Sequence, residues 1–254
     1  MIEKIYTLIW FLRRVRFWSH TAHLIYRKFL PNNDSHEKKM QATEWAAKHA
    51  VSYREALFCL NINIEDDALS DSILKEGEEL AAKSPSKMGG PGDLNLLYHA
   101  VRSTKAKNII ETGVAYGWSS LVILYAISLN GCGTLTSIDV PYPKMGNENF
   151  VGVVVPERLK KKWLLIREPD RNGIVKAIQK VNGEIDLCHY DSDKSWWGRS
   201  YAYPLLWNAL KPGGLFISDD IQDNMYFANF AKSKSLPFAV TKSDGKYVGL
   251  IRKQ

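Results

Sequence analysis

The chain has little cysteine, and the cysteines that it has are arranged neither for cross-linking nor for zinc. Cys59, Cys132 and Cys188 are the only three in 254 residues, and no two of them form a C-x-x-C pair. An odd, scattered set argues against a disulfide framework and against a structural zinc site. We therefore expect a cytoplasmic protein.

A hydrophobic run long enough to span a bilayer is also lacking in the aromatic and basic segment 1–30. Its longest uncharged run, residues 5–12, is too short for a membrane helix. Arg13, Arg14 and Arg16 interrupt what would be the apolar region of a secretory signal. Two interpretations stay open. Residues 1–30 form a basic amphipathic helix on the inner membrane surface or on a partner, or they pack on their own domain or on a second subunit.

Most of the excess positive charge lies in that segment. Residues 1–30 hold six Lys/Arg against one Glu, which leaves 28 basic and 26 acidic residues in the remainder. The net charge of +7 therefore does not indicate a nucleic-acid partner.

Beyond residue 30 the chain divides into a helical extension and an alternating region. A linker at 30–36 precedes an extension at 37–93, in which 37–83 is predicted to be helical and 84–93 is a loop rich in Gly and Pro. From 94 to 254 helices and strands alternate and end in two strands, 238–242 and 247–252. This order predicts an α/β, doubly wound, Rossmann-like sheet of seven mostly parallel strands with a C-terminal antiparallel strand.

The stretch "IIETGVAYGWSS", residues 109–120, passes from strand to helix through two glycines. A nicotinamide fingerprint G-x-G-x-x-G is absent, because its second glycine would fall on Ala115 and its third on Trp118. A nucleoside without a pyrophosphate suits the turn better. Gly113 and Gly117 would let the backbone approach it, and Asp139 at the end of the next strand would accept both ribose hydroxyls.

"ETGVAYGWSS" followed by "TLTSIDV" resembles the cofactor site of class I S-adenosylmethionine-dependent methyltransferases, in particular the catechol and caffeoyl-CoA O-methyltransferase branch. The resemblance covers roughly residues 84–254. It implies S-adenosylmethionine as the cofactor and adds the loop "SKMGGPGD" to its site. The expected cofactor-binding residues are Met88, Gly89, Gly90, Glu111, Gly113, Gly117, Ser119, Asp139 and Asp191.

A second acidic cluster is expected at neighbouring strand ends, where Asp191, Asp219 and Asp220 would converge. Three carboxylates repel unless a cation joins them, and an all-oxygen site favours Mg²⁺ or another hard divalent ion. The resemblance implies the same metal set, and the "DD" pair is similar to the macrocin-type branch that methylates sugar hydroxyls. Helix capping by "SDD" is the alternative.

The residues that follow Asp191 are candidates for catalysis and acceptor binding. By resemblance, either Asp193 or Lys194 would be the base, and the sequence does not choose between them. Trp196 and Trp197 could stack on a sugar or aryl acceptor or simply pack in the core. The connection 145–156 is long enough to form a lid over the acceptor.

Together these features predict a methyltransferase that acts on a hydroxyl of a sugar, glycan or small secondary metabolite with the help of a divalent metal. Three alternatives remain open: a metal-independent methyltransferase acting on N or O, a non-catalytic domain recruited through its N-terminal helix, and a nicotinamide-dependent enzyme.

Overall fold

The computed structural model describes residues 9–65, 67–85, 87–141 and 148–254. Residues 1–8 of the basic segment and residues 145–147 of the expected lid lie outside the described residues. The helices are α1 (Trp18–Tyr26), α2 (His36–His49), α3 (Tyr53–Cys59), α4 (Asp71–Ala81), α5 (Leu94–Thr104), α6 (Trp118–Asn130), α7 (Glu157–Lys160), α8 (Asp170–Lys180), α9 (Trp196–Ala209) and α10 (Tyr226–Lys234). The strands are β1 (Ala50–Val51), β2 (Asn108–Thr112), β3 (Thr134–Ile138), β4 (Trp163–Ile166), β5 (Ile185–Tyr190), β6 (Leu210–Ser218), β7 (Phe238–Ser243) and β8 (Lys246–Arg252).

The strands form one mixed sheet in the order β1-β7-β8-β6-β5-β2-β3-β4. Strands β2 to β6 pair in parallel, and β8 runs antiparallel to both β6 and β7. The doubly wound α/β fold predicted from the alternation is therefore confirmed, together with its antiparallel strand near the C-terminus.

Within the described ranges the sheet has eight strands rather than the seven expected, because the extension contributes one. Ala50 and Val51 pair in parallel with β7, inside a region that the sequence predicted to be helical throughout. Two residues are too few to show a strand periodicity, so only the tertiary pairing reveals this strand. The same region contains three helices instead of one continuous stretch, and Ser35, Ser52 and Ser70 cap their N-termini.

The core lies on both faces of the sheet. Ile109 and Ile110 are both fully buried, yet they belong to separate hydrophobic clusters on opposite faces. Successive side chains of a strand point to opposite sides, so a central strand covered twice needs an unbroken apolar run. Helix α6 covers one face and buries seven residues, Ser120 to Leu124, Ala126 and Ile127.

Strand order reverses between β2 and β5, and this reversal positions the site. The chain proceeds from β2 through β3 to β4 on one side, then crosses to β5 and β6 on the other side. In open α/β sheets a crevice forms at such a switch point, beyond the carboxyl ends of the strands. The residues that follow β2 and β5, Gly113 and Asp191, line the cavity found there.

The described part of the N-terminal segment packs on its own domain. Phe11 and Phe17 are buried, Asn172 Nδ2 donates to the carbonyl of Arg16, and Arg27 pairs with Asp193. Packing on its own domain, one of the two interpretations left open, thus describes residues 9–30. Membrane or partner binding and a cytoplasmic location stay predictions. Within the described ranges, none of the helices combines the length and the apolar character that a bilayer crossing requires.

Candidate active site

A cavity of about 1010 Å³ opens at the switch point. The described residues of its walls come from five parts of the chain: the N-terminal segment, the loop that holds Gly89, the glycine turn after β2, the residues that follow β3 and β4, and the loop from β5 into α9. The lining side chains that bear charge or an imidazole ring are His20, His23, Arg27, Asp139, Asp170, Arg171, Asp191, Asp193 and Lys194. The cavity is large enough for a nucleoside together with a second small molecule.

The glycine turn is held against the end of β5. Gly113 has φ +81°, and a Cβ there would lie 2.3 Å from the carbonyl oxygen of Asp191. Gly117 has φ +91°, and its Cβ would approach the Cα of Gly152 to 2.9 Å. Both positions therefore need glycine for backbone conformation and for close approach. Gly113 lines the cavity, whereas Gly117 begins α6 and faces residue 152.

Asp139 follows β3 and lines the cavity, as its position at a strand end predicts. Its carboxylate is 5% exposed, accepts a hydrogen bond from the Val114 N–H at 3.4 Å, and pairs with Arg167. Burial raises the pKa of Asp139, and the Arg167 guanidinium opposes this rise. The position suits a ribose, whose hydroxyls would share this carboxylate with Arg167.

Glu111 does not lie where a cofactor contact requires it. Its side chain is fully buried and does not line the cavity. Glu111 Oε2 accepts hydrogen bonds from Ser120 Oγ at 2.5 Å and from Ser137 Oγ at 2.6 Å. In this placement the carboxylate ties β2 to β3 and α6 beneath the turn, and its direct contact with a cofactor stays a prediction.

Of the remaining residues expected to bind the cofactor, some line the cavity and others do not. Gly89 lines the cavity, whereas Met88, Gly90 and Ser119 do not. A Cβ at Gly89 or at Gly90 would meet nothing within 4 Å, so neither glycine is needed for packing. The loop approaches the second acidic cluster instead, because a Cβ at Gly92 would lie 2.4 Å from Asp219 Oδ2.

A buried histidine links the two acidic groups. His189 Nε2 lies 3.1 Å from Asp219 Oδ1, and His189 Nδ1 lies 3.6 Å from Glu111 Oε1. Burial by itself would lower the pKa of His189, but the Asp219 and Glu111 carboxylates raise it to about 10. His189 is therefore protonated at neutral pH and neutralises part of the charge of these carboxylates.

Lys194 joins the other two acids of the cluster. Its Nζ lies 3.0 Å from Asp191 Oδ1 and contacts Asp220 Oδ2. Burial, and then the charge of Asp219, raise the pKa of Asp191 to about 7, although Lys194 acts against this rise. The pKa of Lys194 is raised because the Asp191 and Asp220 carboxylates outweigh its burial. Lys194 is thus an ammonium, which does not match a free base.

The three expected metal ligands do not form a common site in this arrangement. Asp219 faces His189, whereas Lys194 bridges Asp191 and Asp220. Among residues 9–65, 67–85, 87–141 and 148–254, no group of three His, Cys, Asp or Glu side chains could hold a metal ion. Carboxylate oxygens suit Mg²⁺ chemically, but the side chains as placed do not fit it.

Asp193, the second candidate base, has both carboxylate oxygens engaged. Oδ1 accepts hydrogen bonds from Ser195 N at 3.1 Å and from Ser195 Oγ at 2.7 Å. Oδ2 pairs with Arg27 Nη1 at 2.9 Å. Asp193 lines the cavity, yet its bonds fix the start of α9 and hold the N-terminal segment.

The two tryptophans face different environments. Trp197 lines the cavity, and its indole N–H donates to the carbonyl of Pro31 at 3.3 Å. Trp196 does not line the cavity and packs edge-on against Tyr226, with 4.9 Å between ring centroids. Stacking on an acceptor therefore stays a prediction for Trp197, whereas Trp196 shows the packing that was the alternative interpretation, here against α10.

Several cavity residues were not anticipated from the sequence. Asp170 and Arg171 follow β4, so the rule that ligands bind beyond strand ends could have identified them. Burial raises the pKa of Asp170 to about 6, against a hydrogen bond from Ser192. Nothing in the sequence indicated that His20, His23 and Arg27 would reach the same cavity, because no local pattern encodes a contact between distant segments.

Part of the chain that lines this cavity matches a known protein family. A family model described as a methyltransferase domain matches residues 110–221. That range includes the glycine turn, Asp139 and the second acidic cluster. No curated protein sequence matches the chain.

Solved structures share the fold at low sequence identity. A putative caffeoyl-CoA O-methyltransferase from Staphylococcus aureus is 18% identical and covers 72% of this chain and 93% of its own, with a TM-score of 0.52. An O-methyltransferase from Bacillus cereus in complex with SAH is 14% identical, with coverages of 82% and 100% and a TM-score of 0.53. An SAH-bound methyltransferase from Podospora anserina is 16% identical, with coverages of 89% and 98% and a TM-score of 0.54. The match over residues 110–221 and the fold shared with these structures agree with the resemblance to methyltransferases carried by the glycine turn.

Proposed function

We propose that the protein is an S-adenosylmethionine-dependent O-methyltransferase that acts on a hydroxyl of a sugar, a glycan or a small secondary metabolite. The observation that carries this proposal is the cavity at the switch point, where the glycine turn and Asp139 face the loop 191–194. Two solved proteins with the same fold hold SAH, the product that S-adenosylmethionine leaves after methyl transfer. Their example supports a sulfonium donor here.

The cofactor half is suited to a nucleoside. The backbone at Gly113 and Ala115 is accessible from the cavity, and Asp139 provides carboxylate oxygens for ribose hydroxyls. Charge-assisted hydrogen bonds of this kind contribute about 1.5–3 kcal/mol each. Since Arg167 already pairs with Asp139, the ribose would share that carboxylate with the guanidinium.

Methyl transfer is a single displacement. The acceptor oxygen forms a bond to the methyl carbon while the carbon–sulfur bond breaks, and the electron pair of that bond stays on sulfur. The protein must align the three atoms and exclude water. The hydroxyl proton goes to the carboxylate of Asp191, which lies on the cavity wall 3.0 Å from Lys194 Nζ. Asp193 and Lys194, the two candidate bases, then serve to position this wall.

The contacts of Lys194 bear on whether the reaction needs a divalent metal. The side chains as placed hold Lys194 between Asp191 and Asp220, so no step is routed through a metal here. This contact favours the second candidate function, a methyltransferase that does not need a divalent ion. Turnover in the presence of a chelator, compared with turnover in Mg²⁺, distinguishes the two.

The first test is titration of S-adenosylmethionine into the wild type and Asp139→Ala by calorimetry, with Mg²⁺ and with chelator. Asp71→Ala is the matched control, because Asp71 is an exposed carboxylate at the first position of α4, outside the cavity. Loss of the ribose contact should weaken binding roughly 10- to 150-fold, equivalent to about 1.5–3 kcal/mol. The control should bind like the wild type.

Two results would count against the proposal. If the wild type fails to bind S-adenosylmethionine in both buffers, the cavity is not a methyl-donor site. If it binds but Asp139→Ala binds equally well, the cofactor lies elsewhere in the cavity and the ribose assignment falls.

A further inference from the structure

The half of the cavity remote from the glycine turn has an unusual wall. The N-terminal segment supplies Phe11, His20, His23 and Arg27, and the helices α8 and α9 supply Arg171, Trp197 and Tyr201. If the cofactor occupies the turn and Asp139, the acceptor must occupy this half. The side chains of this wall therefore indicate what the acceptor carries.

Arg171 is held in place by neutral groups. Its Nη2 lies 2.8 Å from His23 Nδ1, and its guanidinium carbon lies 4.2 Å from the centroid of the Tyr201 ring. The Tyr201 hydroxyl in turn donates to the Arg171 carbonyl oxygen at 2.9 Å. A guanidinium fixed on two faces loses little further side-chain entropy when it binds a ligand.

This guanidinium has no anionic partner among the described residues. Among the residues that the structure describes, no carboxylate oxygen lies within the 4.0 Å of an ion pair with Arg171. The nearby Arg27 is already paired with Asp193 at 2.9 Å. Asp170 accepts a hydrogen bond from Ser192 instead, over 2.5 Å.

The neighbouring histidines add no further positive charge to this wall. Burial and the Arg171 and Arg27 guanidinium groups lower the pKa of His23, with Asp193 opposing. Burial lowers the pKa of His20 to about 4. Both rings are therefore neutral at pH 7, and the Arg27–Asp193 pair has no net charge. Among the described side chains of this wall, Arg171 is therefore the cation that no carboxylate within 4.0 Å pairs with.

We propose that Arg171, supported by Arg27 and His23 of the N-terminal segment, binds an acidic group on the acceptor, either a carboxylate or a phosphate. The inference rests on the proposed function and narrows its substrate class to hydroxylated molecules that carry such a group. A planar guanidinium matches both oxyanions through two parallel hydrogen bonds. The N-terminal segment is then part of the acceptor site.

The test uses the full chain saturated with S-adenosylhomocysteine and calorimetric titration of three probes. Glucose 6-phosphate carries a phosphate, glucuronate carries a carboxylate, and glucose carries neither. At least one charged probe should bind at least tenfold more tightly than glucose, and the preferred probe identifies the acidic group. Arg171→Gln should weaken that binding roughly 10- to 150-fold, as expected for loss of charge-assisted hydrogen bonds.

Arg158→Gln is the matched control, because Arg158 pairs with Glu76 on the surface and does not line the cavity. It should leave all three affinities unchanged. Retained S-adenosylhomocysteine affinity and an unchanged thermal midpoint show that Arg171→Gln is folded. Arg171→Lys, which keeps the charge but not the planar fork, should restore part of the affinity.

Three results would overturn the inference while leaving the proposed function intact: equal affinity for glucose and the charged probes, no loss in Arg171→Gln, or no binding of any probe to a protein that binds S-adenosylhomocysteine. Failure to bind S-adenosylhomocysteine itself would instead remove the proposed function, and this inference with it.

Discussion

Arg27 Nη1 donates a hydrogen bond to Asp193 Oδ2 over 2.9 Å, although 166 positions separate the two residues. The contact joins the basic N-terminal segment to the loop that carries both candidate bases. It places residues 9–30 at the candidate active site. The predictions below test this connection and the turn on the other side of the cavity.

The Arg27–Asp193 ion pair should contribute modestly to stability. The two side chains are 31% and 35% exposed, so solvent screening limits the pair to roughly 0.2–1 kcal/mol. We expect a double-mutant cycle of Arg27→Gln and Asp193→Asn, followed by urea unfolding, to give a coupling energy in that range. Cleavage of the N-terminal segment by a protease should also become faster in either variant.

The control for this cycle is the Lys39–Asp223 pair. Its Nζ and Oδ1 atoms lie 2.7 Å apart, and neither residue lines the cavity. Lys39→Gln should leave the rate of cleavage within residues 9–30 unchanged. Strict additivity of the Arg27 and Asp193 variants would show that the pair does not form in solution.

Gly113→Ala should disrupt the turn because two effects combine. The residue has φ +81°, and the new Cβ would lie 2.3 Å from a backbone oxygen that cannot move aside cheaply. The backbone conformation alone costs about 1–2 kcal/mol, and the collision adds to it. We expect a loss of more than about 2 kcal/mol in the free energy of unfolding and loss of S-adenosylmethionine binding.

Gly131→Ala separates the two effects, since Gly131 has φ +71° but nothing within 4 Å of its Cβ position. It should lose only the conformational part, about 1–2 kcal/mol, and keep its cofactor affinity. Equal losses of stability in the two variants would contradict the close approach of the turn to Asp191.

His20 should make the protein less stable in mild acid. Burial lowers the pKa of His20 from 6.5 to about 4 in the folded protein. Between these values the unfolded chain binds the proton and the folded chain does not, so stability falls as the pH drops from 6.5 towards 4. Urea unfolding at pH 7 and pH 5 should show this loss in the wild type and a smaller loss in His20→Gln. An identical loss in both proteins would place His20 in solvent.

Asp170 should make the protein less stable as the pH rises, which is the opposite of the effect of His20. Burial raises the pKa of its carboxyl from 3.8 to about 6, so over this range the unfolded chain ionises first and stability decreases as the pH rises. Asp170→Asn keeps an acceptor for Ser192 Oγ and removes the charge. We expect this variant to be more stable than the wild type at pH 7, with the difference disappearing near pH 4. Lower stability at pH 7 would contradict a raised pKa.

The residue pattern by itself determined the order of elements and the glycine turn that lines the cavity. Apolar, β-branched runs such as Ile109–Ile110 encode buried parallel strands, and glycine at positions 113 and 117 encodes the turn, because these are local requirements of backbone and burial. The rule that ligands bind beyond strand ends then identified Asp139 and Asp191 as cavity residues.

Side-chain direction was not encoded in the same local way. Glu111 and Trp196 stand in the predicted segments, yet one lies beneath the turn among serines and His189, and the other packs against Tyr226. Position relative to a strand or helix does not specify which of several neighbours a side chain reaches. Packing against elements distant in sequence decides this.

Only the tertiary structure decided the other half of the cavity. The meeting of His23 with Arg171, and of Arg27 with Asp193, joins segments about 150 residues apart through long-range packing. The two-residue strand Ala50–Val51 has the same origin, since its pairing with β7 leaves no periodic signal. The sequence thus determined the alternating domain and the glycine turn at its switch point, whereas folding of the N-terminal segment onto that domain determined the opposite wall of the cavity.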